Sequence, residues 1–73
     1  MLIQKYDVGR CLLALILYKS DMTQAELSSR TGISRSQINA YIKNKQVMSL
    51  PVAKTISAAL HCGIDDLYDW IPK

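Results

Sequence analysis

Seventy-three residues, 49% of them hydrophobic and 21% charged, allow one compact core and no second domain, because a chain this short buries only about 60% of the surface it exposes when unfolded. That composition excludes a disordered chain or a coiled coil, and the densest apolar run, the eight residues Cys11 to Tyr18, falls short of the roughly 20 that span a bilayer. The net charge of +3 is unevenly spread: Leu27 to Ile64 holds five bases (Arg30, Arg35, Lys43, Lys45, Lys54) and no acid, while Asp65, Asp66 and Asp69 gather near the C-terminus.

A stretch free of carboxylates suits a polyanionic partner, since each cation brought to a phosphate releases condensed counterions. A solvated helical face accounts for five scattered cations about equally well. Cys11 and Cys62 have no metal-ligand spacing and nothing like a secretory signal precedes them, which leads to the expectation of a cytoplasmic protein with both thiols as small buried hydrophobes.

Apolar residues recur at helical spacing and no run alternates with period two, so the expectation is all-α, with five helices and no sheet. The first helix is expected from about Val8 to Lys19, capped by Asp7, with Leu12, Leu13, Ile16 and Leu17 facing the core. Cys11, Leu15 and Tyr18 widen its apolar stripe most of the way round, which calls for two neighbours or another subunit.

The second helix opens on Thr23-Gln24-Ala25-Glu26, a capping box, and ends near Thr31 before Gly32, where positive φ carries no Cβ penalty. Ser34-Arg35-Ser36-Gln37 begins a second box almost at once. The third helix turns Ile38 and Tyr41 inward and ends where Asn44 takes the left-handed conformation, flanked by Lys43 and Lys45. Ser49 caps the fourth helix with Pro51 in its first turn, and Leu50, Ala53, Ile56, Ser57 and Leu60 are expected inward. His61-Cys62-Gly63 breaks it, and a short fifth helix from about Asp65 to Trp70 is expected to pack Leu67 onto the rest. Tyr68, Trp70 and Ile71 are either core or a contact surface for a second copy or another protein.

Two short helices joined by a three-residue turn containing glycine form a helix-turn-helix. Leu27, Ile33, Ile38 and Tyr41 fall where the two helices touch each other and the core, and Arg35, Ser36, Gln37, Asn39 and Lys43 are left outside. The stretch T-Q-A-E-L-S-S-R-T-G-I-S-R-S-Q-I-N-A-Y-I-K-N-K resembles the Cro and phage-repressor (Xre-like) regulators, which typically show T-Q-x-x-L, then G-(V/I)-S, then I-S-x-(Y/W/I)-E-x-G-K. S-L-P-V-A-K-T-I-S-A-A-L and D-D-L-Y are similar to that family's fourth and fifth helices, so the resemblance covers nearly the whole chain. It implies one compact five-helix, lambda-repressor-like domain over residues 1–73, with the helix-turn-helix at about 23–44. Three positions depart from the pattern: Ser28 replaces a small Ala, Asn44 a Gly, and Ile42 a Glu.

The resemblance implies a small Cro-like repressor, of the kind carried by prophages and mobile elements, that binds double-stranded operator DNA as a homodimer and reads the major groove with the helix starting at Arg35. It places Arg35 and Ser36, then Asn39 and Ala40, at base edges. The chemistry is compatible: Arg pairs with guanine O6 and N7, Asn with adenine, and Ala meets a thymine methyl. Gln24, Gln37, Lys43, Asn44 and Lys45 are the phosphate candidates. The alternative is a protein-interaction module of the same fold, antitoxin-like, that does not rely on DNA. His61, the one histidine, has only adjacent Cys62 as a partner at any catalytic or metal spacing, so no enzyme, metal or cofactor is expected.

Overall fold

The computed structural model describes residues 3–73. In chain order these form strand β1 (Tyr6–Cys11), helices α1 (Leu13–Lys19), α2 (Gln24–Thr31), α3 (Arg35–Ile42) and α4 (Leu50–Leu60), a 3-10 helix at Ile64–Leu67, and strand β2 (Tyr68–Pro72). Thr23, Ser34 and Ser49 cap α2, α3 and α4 by accepting the backbone N–H three residues on, each satisfying a donor that has no partner within its helix. The core gathers Leu13, Leu17, Leu27, Ile38, Tyr41, Met48, Ala53, Ile56, Leu60 and Leu67 between the helices.

The all-α expectation is corrected at both ends of the chain. β1 and β2 pair antiparallel as a two-stranded sheet, with Tyr6 opposite Pro72, Asp7 opposite Ile71, Val8 opposite Trp70 and Cys11 opposite Tyr68, and an irregularity between Val8 and Cys11. Beyond the paired stretch Lys73 N–H donates to Lys5 O at 2.8 Å, and the Gln4 side chain donates to Lys73 O at 2.8 Å. Gly9 accommodates this pairing. It lies so close to β2 that a Cβ there would collide with the Asp69 carbonyl, and a glycine within a strand marks such backbone approach.

The first helix is therefore seven residues long and starts at Leu13. Asp7 caps no helix; its carboxylate accepts from Val8 N–H at 2.9 Å within the strand. Cys11 is buried from the sheet, and Leu15 and Tyr18 are left exposed on α1. The fifth helix shrinks to a single 3-10 turn because the chain extends from Tyr68 to meet β1. Leu50, expected inward, is 72% exposed: as the first helical residue after the cap it sits on the outer side of a turn whose inward positions are Ala53, Ile56, Ser57 and Leu60. Ser57 is buried with its hydroxyl satisfied by Lys54 O at 3.0 Å.

Candidate nucleic-acid interface

The α2–turn–α3 unit is knit by short-range side-chain bonds. Gly32 takes φ 76° and donates its N–H to Ser28 O at 2.9 Å. Thr31 Oγ1 donates to Leu27 O at 2.7 Å and accepts from Ile33 N–H at 3.2 Å, while Ser28 Oγ donates to Ile33 O at 2.6 Å. Ser28 thus replaces the usual alanine with a hydroxyl that ties α2 to the residue after the turn. Leu27, Ile38 and Tyr41 are buried beneath the unit and Ile33 packs against them.

Each capping box closes on one side only. Thr23 Oγ1 accepts from Glu26 N–H at 3.1 Å and Ser34 Oγ from Gln37 N–H at 3.2 Å. The Glu26 carboxylate instead faces Arg30 at 4.0 Å, both exposed, a pair worth little in water. The Gln37 amide donates to Tyr41 Oη at 2.8 Å along its own helix.

At about 100° per residue, burial of Ile38 and Tyr41 directs Ser36 and Lys43 straight outward. Arg35 and Asn39 flank them on one side, Gln37 and Ala40 on the other. Arg35, Ser36 and Gln37 are exposed; Asn39 and Ala40 are half-buried. Among the described residues Arg35, Lys43 and Lys45 make no ion pair, so their charges are available to an outside anion. Gln24 is the first residue of α2, beside its unpaired N–H groups.

The end of α3 is fixed by Asn44. It takes φ 60°, Lys45 N–H reaches back to Ala40 O at 2.9 Å, and Asn44 Oδ1 accepts from Cys11 N–H at 2.8 Å. Gln46, outside the set expected from sequence, follows this reversal and lines a shallow polar groove with Ser34, Ser36, Gln37 and Ala40. A left-handed Asn two residues earlier is the signal that would have found it. Ile42, the apolar departure, packs partly against the core and shares a groove with Leu12, Ala14 and Leu15.

Tyr68 is turned into the core: it is 6% exposed, and its Oη accepts from buried Met48 N–H at 3.1 Å. Trp70 and Ile71 are exposed; the Trp70 ring lies 6.2 Å from that of Tyr68 and its Nε1 donates to Asp65 O at 2.9 Å. Burial pushes the thiols of Cys11 and Cys62 up, with Asp66 and Asp65 adding to the effect at Cys62, which is the reverse of what a reactive thiolate needs. Among the described residues no group of His, Cys, Asp and Glu could hold a metal ion, and no helix is long and apolar enough to cross a membrane.

Residues 13–73 match the Cro/C1-type HTH DNA-binding domain family. Over 67 residues, 90% of each chain, the sequence is 42% identical to the SPbeta prophage-derived uncharacterized HTH-type transcriptional regulator YopS of Bacillus subtilis (strain 168). It is 30% identical over 56 residues to YotL, a second SPbeta prophage-derived HTH-type regulator of the same strain, covering 75% of this chain and 70% of that one. The crystal structure of the transcriptional regulator VanUg superposes with a TM-score of 0.70 at 26% identity, covering 100% of this chain and 96% of the other.

Proposed function

The chain belongs to the Cro/C1-type helix-turn-helix family and is a DNA-binding regulator of transcription, and on that premise we propose that it is a small Cro-like repressor acting in the cytoplasm. It binds a two-fold symmetric operator as a homodimer, with half-sites about one helical turn apart. Arg35 and Ser36 read base edges, followed by Asn39 and Ala40. Gln24, Gln37, Lys43, Asn44 and Lys45 hold phosphates, Gln37 and Asn44 through amide hydrogens that their internal bonds leave over.

The observation that carries this reading is the exposed, unpaired Arg35 at the first position of α3, on a stretch without a carboxylate. A cation there has no structural duty to keep it. Contact between copies falls at the sheet, where Trp70 beside Tyr6 on one face and Ile71 on the other are exposed, next to open strand edges that invite pairing. We assign the chain no catalytic role.

Binding to random duplex at rising salt is the test. A DNA reader loses affinity steeply and linearly in log salt; a flat profile, or no binding at low salt, would sink the proposal and favour the protein-interaction module.

A further inference from the structure

We propose that Gln46 is a second specificity-determining residue, reading a base edge from the loop between α3 and α4. This rests on the reading of α3 as the helix in the major groove.

Four amide side chains lie on or just beyond α3: Gln37, Asn39, Asn44 and Gln46. Two are engaged inside the protein. Gln37 Nε2 donates to Tyr41 Oη at 2.8 Å, and Asn44 Oδ1 accepts from Cys11 N–H at 2.8 Å. Each amide is thereby oriented by an internal partner and is not free to turn toward a base edge without giving up that bond. Asn39 is half-buried on the Arg35 side of the helix. Gln46 is exposed and makes no side-chain hydrogen bond among the described residues, so it keeps both groups that a bidentate contact to adenine N6 and N7 requires.

Its position is fixed although it lies on a loop. On one side the left-handed Asn44 and the Lys45 N–H to Ala40 O bond fold the chain back along α3. On the other, Met48 is buried and its N–H is held by Tyr68 Oη at 3.1 Å. Gln46 is midway between these two pins. A side chain held by anchored backbone loses less conformational freedom on binding than one on a mobile loop.

The groove it lines with Ser36, Gln37 and Ala40 is on the flank of α3 opposite Arg35 and Asn39. The two flanks would therefore meet different base pairs: Arg35 those on one side of the helix axis, Gln46 those on the other. Gln46 thereby supplies to the Ala40 flank a hydrogen-bonding group that Ala40 itself lacks.

The experiment is selection of bound duplexes from a random pool by the wild-type chain and by the Arg35→Ala, Gln46→Ala and Gln46→Lys variants, followed by affinities for the selected site and its single-base variants. Gln46→Ala should lower the preference at one base-pair position by roughly 5- to 100-fold, at a position that Arg35→Ala leaves intact, with an unchanged salt slope. Gln46→Lys should alter the preferred base at that same position. If Gln46→Ala weakens every sequence alike or leaves all unchanged, and Gln46→Lys strengthens all alike while steepening the salt slope, Gln46 is a phosphate neighbour and the inference fails. Loss of positional preference with Gln46→Ala but not with Arg35→Ala would instead contradict the assignment of Arg35.

Discussion

The side-chain oxygen of Asn44 accepts the backbone N–H of Cys11 at 2.8 Å, joining the end of α3 to the end of β1 across 33 positions of sequence. One residue thus does two things: it takes the left-handed conformation that ends α3, and it satisfies a strand donor at the sheet irregularity.

Separating those roles gives the first prediction. Asn44→Gly keeps the positive φ but abandons the Cys11 N–H, at a cost of about 1–3 kcal/mol. Asn44→Ala adds a further ~1–2 kcal/mol for a Cβ in the left-handed region. Urea unfolding of both variants measures the difference; equal stability of wild type and Asn44→Gly would show that the bond contributes nothing.

Ser28 makes a narrower claim. Its hydroxyl donates to Ile33 O at 2.6 Å, so Ser28→Ala should destabilise by about 1 kcal/mol even though alanine is the better helix former. Thermal unfolding should therefore show a lower Tm for the variant; a higher one would mean that helix propensity outweighs the bond across the turn.

Alkaline stability follows from the buried acids. Burial raises Cys11, Cys62 and Tyr68 above their ordinary values of 9.0, 9.0 and 10.0. The folded state thus favours the protonated forms, and the unfolded chain ionises first as pH rises. Their contribution is full below about pH 9 and is lost as pH climbs through the raised folded values. Denaturant midpoints measured from pH 7 to 11 should fall above pH 9, and less so in Cys11→Ala than in wild type once both are normalised to pH 7.

The exposed sheet surface bears on assembly. Trp70→Ser should shift the sedimentation equilibrium of the chain toward monomer and weaken operator binding, while leaving the helices folded by circular dichroism. A monomer in both proteins, even on operator DNA, would remove the sheet from the account of dimerisation.

What sequence made legible is what local chemistry controls. Thr23, Ser34 and Ser49 are caps, Gly32 and Asn44 are left-handed stops, and His61 ends α4, because each acts through bonds and sterics within a few residues of itself. The sheet was hidden for the opposite reason. Its strands are short, lie at the two ends of the chain, and pair residues such as Tyr6 and Pro72 for which no local pattern specifies a register. Val8 to Cys11 looks like the start of α1 until Gly9 is weighed as a point of backbone approach. Tyr68 follows from the same omission: as a helical residue near the terminus it could face outward, but as the strand residue opposite Cys11 it points into the core. Periodicity made the outward residues of α3 legible, whereas the bond of Asn44 to Cys11 and the place of Gln46 depend on how the chain folds back after Asn44.

Arg35 at the start of α3 and Lys45 just past its end are assigned different work, and binding by Arg35→Ala and Lys45→Ala to the selected operator and its single-base variants separates the two. Arg35→Ala should relax preference at one position, by about 1–3 kcal/mol, while Lys45→Ala should weaken all sequences alike and lower the salt slope by about 1. Uniform and equal losses from both variants would contradict the assignment.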